Sequence, residues 1–112
     1  YPKYQDHHVR HGFGERPIIK DAVVHGNKVE KHLGFYPVQL QAAQALWKAI
    51  SEIHDIPLEY PKDKKGNLDT GLNKECASGD FNGFCNHYNL TKRKIDCAGM
   101  KLDRLINEVK NG

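Results

Sequence analysis

Tyr36-Pro37-Val38-Gln39-Leu40-Gln41-Ala42-Ala43-Gln44-Ala45-Leu46-Trp47-Lys48-Ala49-Ile50-Ser51-Glu52-Ile53-His54 is the stretch on which the fold turns. Leu40, Ala43, Leu46 or Trp47, Ile50 and Ile53 recur every three or four positions and line one stripe of an α-helix. Gln39, Gln41, Gln44, Lys48 and Glu52 take the other positions. Pro37 suits the first turn, where its missing N–H costs nothing. The pattern stops at His54-Asp55-Ile56-Pro57, because the residue before a proline disfavours helical dihedrals. Burying such a stripe contributes about 1.5–3 kcal/mol per large side chain. The ordinary task of a helix like this is to cover a sheet.

Working outward, Pro17 to Val24 is rich in β-branched residues, and His25-Gly26-Asn27 carries turn chemistry. Val29 to Leu33 is then a returning strand, so a short hairpin is expected. Residues 1–16 hold His7, His8 and His11 among Gly and charge and follow neither period. Past the long helix, residues 57–80 read as a long polar loop, a length usually tied to function or mobility in a small domain. Phe81 to His87 alternates in part and reads as a strand ending in a histidine. Ala98, Leu102, Leu105, Ile106 and Val109 form a second helical stripe over 98–109, and Asn111-Gly112 is a stop signal. The expected fold class is α/β, a small mixed sheet flanked by the helices 37–54 and 98–109, within one domain spanning 1–112.

Composition excludes several functions. The chain has 112 residues, which fits one small domain. No apolar run approaches the roughly 20 residues of a membrane helix, so no membrane span is expected. The net charge is +3, too weak to argue for nucleic acid by itself. Lys92-Arg93-Lys94 and the Lys62, Lys64, Lys65 group read as solvated loops, and no nucleic-acid partner is expected. The chain starts at Tyr1-Pro2-Lys3-Tyr4 with neither Met nor an apolar leader, as if it began in the middle of something. Cys76, Cys85 and Cys97 contain no C-x-x-C. One disulfide with a thiol left over and three thiols are equally open, so the compartment stays open too.

The segment with chemistry in it is His87-Tyr88-Asn89-Leu90-Thr91-Lys92-Arg93-Lys94-Ile95-Asp96-Cys97-Ala98-Gly99. A His at a strand end and an Asp at a helix entry can converge after a loop of this length. Imidazole nitrogen and carboxylate oxygen are both good Zn²⁺ ligands at about 2.0–2.2 Å. Lys94 stands two positions before Asp96, on the same side of an extended backbone. An ammonium there can stabilise an oxyanion beside a metal. Taken alone, the same pair is commonly a surface histidine and a helix-capping aspartate.

The run Gly83 to Gly99 (GFCNHYNLTKRKIDCAG) resembles the second ligand segment of the zinc-dependent N-acetylmuramoyl-L-alanine amidases of type 2. That family includes the peptidoglycan recognition proteins and small phage lysozymes. Its pattern is a His closing a strand, a loop, then Lys-x-Asp and a turn. Phe35-Tyr36-Pro37-Val38-Gln39 through Ile53-His54-Asp55-Ile56-Pro57 is similar to the family helix after the central strand. The likeness covers residues 35–109 and leans toward amidases of phages or prophages of Gram-negative hosts. It implies His87 and Asp96 as zinc ligands and Lys94 as the catalytic lysine. It implies Zn²⁺ as cofactor, peptidoglycan as substrate, and cleavage between N-acetylmuramic acid and L-alanine in the bacterial wall. The alternative it carries is an inactive peptidoglycan-binding module of the same fold.

Two departures from the family pattern matter. Cys97-Ala98 stands where the family often has Pro after the ligand Asp. Cys97 is set aside as a ligand because Lys94 is spaced for Asp96, and Cys97 would put Ile95 in the lysine's place. The family's first ligand is a His ending an early strand, which residues 1–34 do not supply. Those residues are therefore expected to be an insertion or loop region ahead of a catalytic part at 35–112, with the N-terminal ligand strand lacking. Catalytic zinc takes three protein ligands. The chain alone is thus expected to bind zinc weakly, unless His7, His8, His11 or a partner segment or chain completes the set. His25, His32 and His54 are assigned ordinary surface or partly buried places, and Trp47 a core place. Asn86 and Tyr88 flank His87, within range of a substrate but with no orientation given by the sequence.

Overall fold

The computed structural model describes residues 16–112. His7, His8 and His11, and with them the expectation of a loop before residue 16, lie outside the described residues. Pro17 to Gly34 forms one long hairpin in two nested steps. The inner strands, β2 (Val23–Val24) and β3 (Asn27–Lys28), pair antiparallel with Val24 opposite Asn27. The turn between them is His25-Gly26, with φ of 54° and 77°. Two left-handed residues in a two-residue loop match the twist of a hairpin, and Gly26 is there because it takes that conformation without strain. The outer strands, β1 (Ile18–Ile19) and β4 (His32–Leu33), pair antiparallel with Ile19 opposite His32. Val29 N donates to Ala22 O at 2.8 Å and carries the hairpin across the gap between the two steps.

The hairpin is as the sequence suggests, but the sheet is not a mixed one. Among the described residues there are two small antiparallel two-stranded sheets and no parallel pair. Phe81 to His87 forms no strand. Its backbone has no partner edge; Phe84 N instead donates to Glu59 O at 2.9 Å, and Gly83 passes hard against that same carbonyl. The segment ends in a 3-10 turn, His87–Asn89.

Helix α1 spans Pro37–His54, with Pro37 in the first turn. Gln39 Oε1 accepts from Tyr36 N at 2.8 Å and satisfies one of the donors at the helix start. Asp55, at φ 54°, turns the chain out of the helix, and Ser51 Oγ donates to Ile56 O just ahead of Pro57. Within 57–80, read as loop, the structure adds a short helix, α2 (Lys74–Ser78). Asn73 Oδ1 caps it by accepting from Cys76 N at 3.1 Å, and Gly79 closes it at φ 83°. Helix α3 spans Leu102–Asn111, with Leu102, Leu105 and Ile106 buried. It starts four residues later than the stripe suggests, because Asp96 to Gly99 is a turn.

Helix α1 lies on α3, where Gln44 Nε2 donates to Leu105 O at 3.2 Å. Trp47 is half-buried, its ring 6.1 Å from that of Phe84. No residue of α1 is fully buried, and Leu46 and Ile53 stand 58% and 75% exposed. The helix therefore covers α3 with one side only, not a sheet. The core nearest the hairpin is Ala22, Val24, Tyr88 and Ala98, with Ile19 and Val29 packed against it. No helix among the described residues is long and apolar enough to cross a membrane.

Candidate functional site

Two neighbouring segments carry the residues singled out from the sequence. The first is the 3-10 turn. Asn89, fully buried, spends its side chain on setting it. Asn89 Oδ1 accepts from Asn86 N at 2.9 Å, and Nδ2 donates to Asp69 O and Gly71 O, both at 2.9 Å. Asn73 N donates to Asn89 O at 3.0 Å. Asn86 Nδ2 donates to Tyr88 Oη at 2.9 Å, and Tyr88 is 1% exposed. These bonds turn Asn86, Tyr88 and Asn89 inward and leave the His87 imidazole outward. Asn86 and Tyr88 thus stand on either side of His87 in the chain but are buried, turned away from any ligand at its imidazole. Burial pushes the Tyr88 phenol up to about 12.

The second segment is Lys94 to Ala98. Tyr88 N donates to Asp96 O at 3.1 Å and ties it to the first. His25, in the hairpin turn, places Nε2 3.1 Å from Lys94 O. His32, 2% exposed, places Nε2 3.1 Å from Ala98 O and Nδ1 2.8 Å from Glu30 O. The two hairpin histidines therefore hold the backbone on either side of Asp96. Sequence reading gave neither this part, since the signal is a spatial match between residues far apart in the chain. His54 sits exposed at the end of α1, as expected.

The outcome is a contact between His87 Nδ1 and Asp96 Oδ2 at 3.1 Å, across nine positions of sequence. Both side chains are about half exposed, at 45% and 48%. Lys92, Arg93 and Lys94 are exposed and precede Asp96 in the chain. Two donors bound tetrahedrally at about 2.0–2.2 Å stand roughly 3.3–3.6 Å apart. At 3.1 Å the two atoms meet each other directly, a little closer than that spacing, and both side chains are open to solvent. Among the described residues no group of three His, Cys, Asp or Glu converges on one point. As a bare ion pair at this exposure, His87 and Asp96 contribute under about 1 kcal/mol.

Two grooves border these segments. One, of about 420 Å³, runs along the hairpin turn and is lined by Val24, His25, Lys28, His32, Lys92 and Ile95 among others. The other, of about 460 Å³, lies between the hairpin, α1 and α3. Its walls include Ile19, Leu33, Leu40, Gly99, Met100 and Leu105, and are more apolar. No family model, no curated protein and no solved structure matches the chain.

Proposed function

We propose that the chain is part of a peptidoglycan amidase that hydrolyses the bond between N-acetylmuramic acid and L-alanine. The observation supporting this is the 3.1 Å contact of His87 Nδ1 with Asp96 Oδ2, with Lys94 two positions before the aspartate. His87 and Asp96 would hold Zn²⁺, with a third donor from a partner segment or chain. Bound zinc supplies a water whose pKa falls toward about 7 and a Lewis acid for the carbonyl. The remaining work belongs to the protein. Lys94 stabilises the negative charge on the amide oxygen. His25 and His32 keep the Lys94–Ala98 backbone in place. The exposed cations at 92–94 attract the carboxylates of the stem peptide.

The test uses purified sacculi with release of stem peptides as the readout, comparing the wild type with Lys94→Ala and Asp96→Ala. Release should require zinc and fall sharply in both variants. Release that survives both substitutions would sink the reading. The groove between the hairpin, α1 and α3 favours a second reading, an inactive peptidoglycan-binding module. Its signature is chelator-insensitive retention on sacculi with no stem peptide released.

A further inference from the structure

Helix α1 carries a second stripe, on its outer side. Val38, Ala42, Ala45, Leu46, Ala49 and Ile53 are all exposed, the three large ones at 48%, 58% and 75%. At about 100° per residue they fall within an arc of about 100° and run the length of the helix. Leu40, Gln44, Trp47 and Ser51, all half-buried, occupy the opposite arc, and Gln44 bonds to α3 there. The outer stripe holds no charge and no hydrogen-bonding side chain. Single exposed apolar residues are ordinary, but a contiguous set marks an interaction surface.

The order of residues along the stripe is symmetric. From the midpoint between Ala45 and Leu46, Ala42 and Ala49 stand equally far out, and so do Val38 and Ile53. Turning the helix end for end therefore lays Ala42 on Ala49, Val38 on Ile53, and the small Ala45 on the large Leu46. That is the self-complementarity a two-fold interface demands. The charges agree with it. The polar row beside the stripe is Gln41, Lys48 and Glu52, and in an antiparallel pair it meets its own copy. Gln41 of one copy comes level with the space between Lys48 and Glu52 of the other, where an amide can serve both. Glu52 comes level with Gln39 of the other copy, in the first turn of that helix. This turn has no acidic residue of its own, and a carboxylate is favourable at the positive end of a helix.

We infer that the chain forms an antiparallel two-fold dimer through α1, with Ala45 packed on Leu46 of the second copy. The inference is independent of the amidase reading. The stripe is about 24 Å long and one helix wide. That footprint is well short of the roughly 800 Å² per partner of a standard interface, so the dimer is weak and reversible. Its dissociation constant is on the order of 100 µM.

Sedimentation equilibrium of the full chain, from about 5 µM to about 1 mM, spans that constant. The expected result is a monomer at the low end and a dimer at the high end. Leu46→Glu, at an exposed position, should keep the wild-type melting temperature and weaken association at least about tenfold. Val38→Lys and Ile53→Glu should each weaken it. The two together on one chain should restore it, because the new ammonium of each copy then faces the new carboxylate of the other. A chain that stays monomeric throughout overturns the inference, as does a dimer that Leu46→Glu leaves intact. A double variant no tighter than the single ones overturns the antiparallel register. Binding of a monomeric chain to anionic phospholipid vesicles, lost in Leu46→Glu, would give the stripe to a lipid surface instead.

Discussion

His25 Nε2 and the carbonyl of Lys94 meet at 3.1 Å although 69 positions separate them in the sequence. With His32 on Ala98 O, this makes the hairpin the brace of the Lys94–Asp96 segment. His32→Ala should destabilise the fold by about 2–4 kcal/mol, since it opens a cavity and removes the buried partner of the Ala98 carbonyl. His25→Ala, only half-buried, should cost about 0.5–1.5 kcal/mol. Urea midpoints give both values; equal effects would mean that His32 is not the stronger anchor.

The exposed pair should behave the opposite way. His87→Ala and Asp96→Ala should each change stability by less than about 1 kcal/mol. Both should lower zinc affinity, measured by calorimetry on the chain with its third donor present. Lys94→Ala should leave zinc binding unchanged and lower kcat by about 10²–10³. A drop in zinc affinity in Lys94→Ala comparable to that in Asp96→Ala would count against the separate roles.

Alkaline pH should weaken the fold. The Cys76 thiol is raised from 9.0 to about 12 and the Tyr88 phenol from 10.0 to about 12. Raised folded values mean that the unfolded chain releases these protons first. Their contribution is therefore complete below about pH 9 and is lost as the pH rises toward about 12. Denaturant midpoints across that range should fall, and Tyr88→Phe should flatten the upper part of the decline. A midpoint that holds steady to about pH 11 would contradict this.

Gly99→Ala should be severe. Gly99 has φ 76°, and an added Cβ would collide with Ile19 Cγ2 and press on Ala22. A loss of about 2–4 kcal/mol is expected from the backbone penalty and the overpacking together. Gly26→Ala, with an equally left-handed φ but open space around it, should cost only about 1 kcal/mol. Thermal melts of the two variants separate steric from conformational cost.

Local chemistry made the helices and the hairpin legible. Pro37 and Pro57 frame α1, Asn111-Gly112 ends α3, and His25-Gly26 turns the hairpin. Helix α2 was hidden because five residues hold no period, although Asn73 and Gly79 mark its ends. Phe81 to His87 looked like a strand because alternation reports side chains facing two ways, not whether a partner edge exists. The α1 stripe named its apolar residues but not what they meet. Outer positions such as Leu46 and Ile53 are apolar as well, so sequence alone did not say which side would be covered. The His87–Asp96 approach was anticipated, while the supporting Asn89, His25 and His32 were not, since each acts across the fold.

One buried residue, through its side-chain amide and its backbone carbonyl, ties three segments together. Asn89 holds the 69–71 loop, the start of α2 and the turn that presents His87. These pieces consequently have no separate melting of their own. Whatever loosens one of them frays the whole patch in a single cooperative opening, and a ligand gripping the imidazole would quiet a loop it never touches.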